Sequence, residues 1–144
     1  MSLRAPVMAL LLMLGGGACA GEARWRVGAG VADEIDGRAS PVLALAARPG
    51  PRWEAMLGYI GRRPGVPDAL FVAGSRRLQR GPWFASAGLA WVSEDNAVLS
   101  GHVQAMTGVG LELRHGAVSL RHLSNGGTGG RNRGETFVLF EYGW

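Results

Sequence analysis

The sequence predicts an all-β protein, an eight-stranded antiparallel up-and-down transmembrane β-barrel. Three observations lead to this fold class. The chain contains 24 Gly and 7 Pro, too many for a helical protein, yet 47% of its residues are hydrophobic, which suits short strands separated by turns. Eight segments of strand length follow one another, without a convincing apolar stripe at helical spacing. Tryptophans recur where odd-numbered segments begin, as in the aromatic girdle of a membrane barrel.

Residues 1–20 differ from the rest of the chain. Arg4 precedes an apolar run from Val7 to Leu14, and small residues then lead to Ala18-Cys19-Ala20. This pattern predicts a secretory signal peptide cleaved after Ala20, because the apolar run is too short to span a membrane as a helix. The barrel then occupies residues 21–144 and contains no cysteine, so no disulfide stabilises it. A lipoprotein acylated at Cys19 is the weaker alternative, since Gly16-Gly17-Ala18 lacks the expected large aliphatic side chain.

Eight strands are predicted in the remainder of the chain. In order, they cover residues 24–32, 42–48, 52–62, 68–79, 82–92, 101–114, 117–124 and 135–144. The connections alternate between tight turns, at 49–51, 80–81 and 115–116, and mostly longer polar loops, at 33–41, 63–67, 93–100 and 125–134. An even number of strands with both ends on one side predicts an up-and-down barrel. Strands of roughly 9–11 residues can cross a bilayer when tilted, and closure leaves no strand edge facing lipid.

Aromatic residues mark the turn side of this barrel. Four tryptophans are predicted to lie there: Trp25, Trp53, Trp83 and Trp144. The last strand places apolar side chains on one face and ends as the final strands of bacterial outer-membrane barrels do: Val138, Phe140, Tyr142 and Trp144. Tryptophans would also suit a soluble ligand-binding barrel, so the girdle is one of two readings. A porin is excluded, because side chains fill the interior of an eight-stranded barrel.

The charge of the chain limits the classes of partner that it is expected to bind. All 15 basic residues are Arg and the formal net charge is +4. Arg binds phosphate through bidentate hydrogen bonds, which fits an anionic lipid surface, although codon usage in a GC-rich genome explains the Arg content equally well. We expect no nucleic-acid partner, because an exported chain would not meet nucleic acid and no basic stretch is interleaved with aromatics.

Metal binding is not expected either. His102 and His115 are too scattered to suggest zinc, and we expect both to be solvated. Acidic residues in two predicted loops could hold Ca²⁺, but solvated loop charge is the simpler reading: Asp33, Glu34, Asp36, Glu94 and Asp95.

The candidate active site lies where the seventh strand ends. His122 and Ser124 are two positions apart, so in a strand they share one face, and the imidazole could take the hydroxyl proton. Gly126 and Gly127 follow, so backbone N–H groups could approach a reacting carbonyl. Glu135, across the last loop, could orient the histidine. A base, a nucleophile, backbone donors and a carboxylate are the parts of an acyl-transfer site, although His-x-Ser pairs also occur by chance.

The predicted topology puts this site beside a substrate. If the tight turns are periplasmic, odd strands run outward, so His122, Ser124 and Glu135 meet at the level of the outer leaflet. In a Gram-negative outer membrane that leaflet is lipopolysaccharide, whose lipid A carries ester-linked acyl chains. Arg131 and Arg133, beside the site, are candidates to pair with lipid A phosphates.

The C-terminal third of the chain resembles the PagL-type lipid A 3-O-deacylases, the acyloxyacyl hydrolase family of outer-membrane barrels. The resemblance rests on His122 to Gly127, on Asn132-Arg133-Gly134-Glu135 and on the aromatic end, with weaker support from Gly108 to Glu112. It implies Ser124 as nucleophile, His122 as general base and Glu135 as the orienting acid. It also implies an oxyanion hole from the backbone at Asn125 and Gly127, and hydrolysis of the lipid A 3-position ester without a metal or cofactor.

Two departures concern Glu135. The loop before it is one residue shorter than the family pattern leads us to expect. Strict alternation also puts Glu135 on the opposite face of its strand from Val138 and Phe140. Glu135 can reach His122 only if the strand bulges near residues 135–137 or if the acid lies above the regular ladder, and we expect that irregularity.

Two other functions fit the same fold. A non-enzymatic outer-membrane barrel with a structural or interaction role would need neither His122 nor Ser124. A soluble periplasmic barrel that binds an apolar ligand would be extracted without detergent. The sequence leaves open whether the barrel works alone or as a homodimer.

Overall fold

The computed structural model describes residues 24–35, 37–128 and 133–143, so the predicted signal peptide, Asp36, Arg131 and Trp144 lie outside the described residues. Eight antiparallel strands, each hydrogen-bonded to the next, close into a barrel in which β8 pairs with β1. Their bounds are β1 Arg24–Ile35, β2 Arg38–Gly50, β3 Trp53–Ile60, β4 Ala69–Arg80, β5 Trp83–Val92, β6 Val103–Leu113, β7 Gly116–Ser124 and β8 Glu135–Gly143. The predicted fold class is confirmed. Within the described ranges, no helix is long and apolar enough to cross a membrane.

The two ends of the barrel have different connections. At one end, residues 51–52, 81–82 and 114–115 join the strands in tight turns, beside the start of β1 and the end of β8. We call this end the turn rim. The opposite end, the loop rim, carries Gly37, residues 61–68 and 93–102 and the described parts of the connection between β7 and β8, residues 125–128 and 133–134. The alternation of short and long connections is therefore as predicted, with one exception.

The exception is residues 33–41. The prediction that they form a polar loop is wrong. β1 continues to Ile35 and β2 starts at Arg38, so Val31 pairs with Pro41 and Ala32 with Ser40. Pro41 lacks an N–H, but its carbonyl accepts a hydrogen bond from the Gly61 N–H at 2.9 Å. Polar residues are tolerated in these strands because they lie at the rim, beyond the apolar part of the barrel wall.

The outer face of the barrel wall is apolar. Side chains alternate between interior and exterior along each strand, and large hydrophobic residues such as Val31, Leu89 and Val103 are 55% to 65% exposed on the outside. Trp25, Trp53 and Trp83 are exposed at the turn rim, where β1, β3 and β5 begin. This arrangement is the lipid-facing belt and aromatic girdle of a membrane barrel, because water would oppose such exposure.

Another aromatic residue, Trp91, lies near the loop rim. Its ring stacks on His102 with centroids 5.6 Å apart and planes 17° apart. The His102 Nδ1 lies 2.9 Å from the Val92 carbonyl oxygen. His102 is thus partly exposed and packs one face of its ring against the barrel wall, whereas His115 is exposed in the turn between β6 and β7, as expected.

Charged side chains fill the interior towards the turn rim. Each strand contributes one side chain to this cluster: Arg26, Arg48, Glu54, Arg77, Phe84, Glu112, Arg121 and Glu141. Arg121 Nη1 donates to Glu54 Oε1 at 2.7 Å, and Arg26 Nη2 donates to Glu112 Oε2 at 2.6 Å. The Arg77 guanidinium lies 3.5 Å from the centroid of the Phe84 ring. The cluster links all eight strands and occupies the interior, which directs attention to the outer surface for a functional site.

Candidate active site

His122 and Ser124 project from the outer face of the barrel at the end of β7. The preceding outward residue, Leu120, is 47% exposed, whereas Arg121 and Leu123, between them, are fully buried inside. His122 and Ser124 are half-buried. The strand therefore places the imidazole and the hydroxyl side by side at the loop rim, as their spacing predicts.

The surroundings of the pair change from polar to apolar down the barrel wall. His122 pairs across the sheet with Thr107 of β6 and Thr136 of β8, and His122 Nδ1 lies 2.8 Å from Thr136 Oγ1. One step nearer the turn rim, Leu120 pairs with Val109 and Val138. A lipid could therefore place its polar headgroup against the hydroxyl groups at the rim and its acyl chain against the apolar side chains of the wall.

Gly134 fixes the position of the histidine ring. A Cβ atom added at Gly134 would lie 2.6 Å from His122 Cε1 and 2.8 Å from Nε2, so only glycine allows this approach. Its φ of +73° also favours glycine, and its N–H donates to the Val98 carbonyl at 3.0 Å. In the sequence Gly134 is only one position of a motif, and its contact with His122 was not predicted.

The turn after Ser124 carries the candidate oxyanion donors. Gly126 and Gly127 have φ values of +66° and +78°, and Thr128 N–H closes the turn on the Asn125 carbonyl at 3.2 Å. Gly126 N–H donates to Ser124 Oγ at 3.1 Å. Gly127 N–H donates to Asn125 Oδ1 at 2.8 Å, so a substrate oxygen must displace that side-chain oxygen to use this donor.

The connection between β5 and β6 supports this turn from behind. Asn125 Nδ2 donates to the Ser100 carbonyl at 3.2 Å. Asn96 Oδ1 accepts hydrogen bonds from the N–H groups of Val98 and Leu99, both at 2.9 Å, and both apolar side chains are buried. This support was not predicted, although the apolar run 97–99 inside a polar loop is a signal that could have indicated it.

Glu135 lies on the other face of the sheet from His122. The register runs Leu123 to Glu135 and His122 to Thr136 without a shift, so the irregularity expected at the start of β8 is absent. Glu135 is 1% exposed, and its carboxylate forms a bidentate ion pair with Arg63, with 2.8 Å between Oε1 and Nη1. The structure thus places His122 and Ser124 on one face of β7 but gives His122 the Thr136 hydroxyl as a partner instead of this carboxylate.

The candidate phosphate ligands are placed only in part. Arg133 is exposed at the loop rim, and its Nη2 lies 3.1 Å from Asp33 Oδ2. Asp33 also accepts a hydrogen bond through its carbonyl from Arg63 Nη1 at 2.6 Å, which links the charge at the rim to the buried Arg63–Glu135 pair.

Fold and site together define a class, the small membrane β-barrels that carry a hydroxyl–imidazole pair on the lipid-facing wall. A comparison with protein families matches residues 22–144 to the lipid A 3-O-deacylase (PagL) family. The chain belongs to this family, which makes it a carboxylic ester hydrolase of the outer-membrane barrel type, and the resemblance stated from its motifs is confirmed.

A solved structure shares this fold. The chain is similar to the protein described as "Crystal structure of the outer membrane enzyme PagL", with a TM-score of 0.57 and 15% sequence identity. The match covers 84% of this chain and 98% of that chain. No curated protein matches the sequence.

We predict that Gly134→Ala lowers lipid A deacylation at least tenfold while the barrel still forms. The new methyl group would lie 2.8 Å from the Leu123 carbonyl oxygen as well as against the His122 ring, so the ring would be displaced from its position. The measurement is the rate of fatty-acid release by purified protein, together with the heat-dependent gel shift that reports barrel formation.

Gly65→Ala is the matched control for this variant. Gly65 has a φ of +70°, so it carries the same backbone strain, but no atom lies within 4 Å of an added Cβ. Equal losses of activity in the two variants would show that backbone strain, and not the contact with His122, causes the effect.

Proposed function

We propose that this barrel hydrolyses the 3-O-linked acyl ester of lipid A in the outer leaflet, with Ser124 as nucleophile and His122 as general base. The observation that carries the proposal is the position of the pair, on the outer face of β7 at the loop rim and directly above the apolar wall. Lipid A presents its ester groups between a polar headgroup and acyl chains. A substrate in the membrane would therefore reach Ser124 without leaving the bilayer.

In the proposed first step, His122 Nε2 removes the proton from Ser124 Oγ as the oxygen attacks the ester carbonyl. A proton on Nδ1, donated to Thr136 Oγ1, would leave the lone pair on Nε2 for this task. The tetrahedral intermediate collapses when His122 returns the proton to the sugar oxygen, which leaves as an alcohol. His122 then activates a water molecule, which releases the fatty acid from Ser124.

The proposed oxyanion hole uses backbone donors of the turn after β7. Gly126 N–H already contacts Ser124 Oγ, so it lies next to the position of a developing oxyanion. The N–H groups of Asn125 and Gly127 complete the hole once the substrate oxygen replaces Asn125 Oδ1 at Gly127. Each such donor is worth roughly 3–4 kcal/mol of transition-state stabilisation in comparable enzymes.

We propose that Thr136 orients His122, in the role that the family resemblance assigns to Glu135. The Thr136 hydroxyl fixes the imidazole by a hydrogen bond but carries no charge to stabilise an imidazolium. Glu135 instead anchors the start of β8 to the connection between β3 and β4 through Arg63. A bidentate pair of this kind can hold two segments together, because separating the partners would leave each as a buried, uncompensated charge.

Arg133 and Arg131 are proposed to bind the phosphate groups of lipid A. A phosphate would compete with Asp33 for the exposed Arg133 guanidinium, and a bidentate contact would align the sugar over Ser124. The residues proposed for the chemistry come from β7, β8 and the turn between them, so the mechanism does not require a homodimer. Export through cleavage of residues 1–20 is part of the proposal.

Ser124→Ala and His122→Ala should each abolish deacylation, with a loss of at least a thousandfold. Both residues lie on the surface, so the barrel should fold normally. Lipid A from cells that produce each variant, measured by mass spectrometry, should keep its 3-O-linked acyl chain. Thr107→Val, which changes the other cross-strand neighbour of His122, is the control and should remain active. Deacylation by Ser124→Ala would refute the mechanism.

Thr136→Val and Glu135→Gln separate the two assignments of the orienting group. We expect Thr136→Val to lower kcat ten- to a hundredfold without changing the urea concentration at which the barrel unfolds. Glu135→Gln leaves Arg63 buried without its carboxylate, so it should lower that concentration clearly. The reverse pattern, in which Glu135→Gln removes activity from a fully stable barrel and Thr136→Val has no effect, would restore Glu135 as the orienting acid.

A further inference from the structure

The turn rim carries exposed arginines that are not paired with acidic side chains. They are Arg24, Arg52, Arg76, Arg80 and Arg114. Within the described part of the chain, none of the five forms an ion pair. The described acidic residues of this half of the barrel point inward and bind interior arginines: Glu54, Glu112 and Glu141. The positive charge at this rim therefore faces outward without compensation.

The loop rim differs in this respect. Arg62 lies 3.7 Å from Asp68 Oδ1, and Arg133 lies 3.1 Å from Asp33 Oδ2. Asp95 is also exposed there. Acidic and basic side chains are thus paired at one end of the barrel, whereas at the other end the exposed charged side chains among the described residues are all basic. Among these residues, exposed charge of one sign only is therefore confined to the turn rim. The high Arg content of the whole chain does not explain this uneven distribution.

Two of the turn-rim arginines belong to pairs with girdle tryptophans. Arg76 lies directly opposite Trp53 in the sheet, and Arg80 lies opposite Trp83. Leu78, between the two arginines on the same outward face, is 68% exposed. The tryptophan and leucine side chains suit the region where acyl chains meet headgroups, and a guanidinium beside them can extend to the phosphate level.

We propose that the turn-rim arginines bind the headgroups of anionic phospholipids, of the phosphatidylglycerol type, in the leaflet opposite the substrate. In a barrel whose tight turns are periplasmic, this is the inner leaflet of the outer membrane. A guanidinium binds a phosphodiester through two parallel hydrogen bonds. The inference is independent of the proposed chemistry, because these arginines lie at the end of the barrel away from Ser124.

The test measures lipid binding by the purified barrel in a neutral detergent. Native mass spectrometry would count bound short-chain phosphatidylglycerol and, separately, phosphatidylcholine of the same chain length across a titration. The wild-type protein should bind phosphatidylglycerol at least tenfold more tightly. Arg52→Gln/Arg76→Gln/Arg80→Gln should lower this preference at least fivefold, since each arginine near an anionic surface contributes about fivefold and Arg24 and Arg114 remain.

Two further variants make the result specific. Arg38→Gln/Arg62→Gln removes exposed charge from the loop rim and should keep the wild-type preference. The triple Arg→Lys variant at 52, 76 and 80 keeps the charge but loses the bidentate geometry, so its preference should be intermediate. Equal binding of the two lipids by the wild-type barrel would overturn the proposal. An equal loss of preference in the loop-rim variant would overturn it as well.

Discussion

The direction of each side chain in this site depends on the unshifted hydrogen-bond register of β7 with both of its neighbours. Pairs run from Ala105–Ser124 to Leu113–Gly116 on one side and from Leu123–Glu135 to Gly116–Tyr142 on the other. Because side chains alternate with period two, a slip of one residue would exchange the inner and outer faces of the strand. The register therefore decides that Ser124 meets lipid and that Glu135 meets Arg63.

The filled interior is the second constraint on function. Charged side chains from seven of the eight strands, together with Phe84 of β5, occupy the half near the turn rim, and they form ion pairs such as Arg121–Glu54. Towards the loop rim, apolar side chains such as Phe71, Phe137 and Met106 fill the same space. Substrate chemistry consequently has to take place on the outer wall. For a lipid substrate that position would be an advantage, because its ester could reach the proposed nucleophile by lateral diffusion while its acyl chains stay in the bilayer.

The support of the site comes from elements that are distant in sequence. Gly134 and Asn125 are hydrogen-bonded to the connection between β5 and β6, through the carbonyls of Val98 and Ser100. Glu135 is held by Arg63, 72 positions earlier. The loop rim is thus a connected structure, which explains how a turn with several glycines can keep backbone donors beside Ser124.

Local patterns in the sequence were sufficient to predict much of this architecture. Alternation and turn residues predicted eight strands and a closed barrel, and the spacing of His122 and Ser124 predicted their common face. The extension of β1 and β2 into the polar segment 33–41 was not predicted, because polarity there reflects the height of the strands above the membrane and not a loop. The Arg63–Glu135 pair could not be predicted either, since no local pattern indicates which buried charge meets which. The alternation of side chains along β8 did indicate that Glu135 would face away from His122 unless the strand was irregular.

The most direct test of the central claim is covalent labelling by a long-chain alkyl fluorophosphonate, which transfers its phosphoryl group to an activated serine with loss of fluoride. The purified barrel in detergent would be digested, and the modified residue would be located by peptide mass spectrometry. We predict modification of Ser124, strongly reduced in His122→Ala, because the imidazole must accept the hydroxyl proton. Labelling at another residue, or labelling of Ser124 that is undiminished without His122, would contradict the proposed nucleophile–base pair.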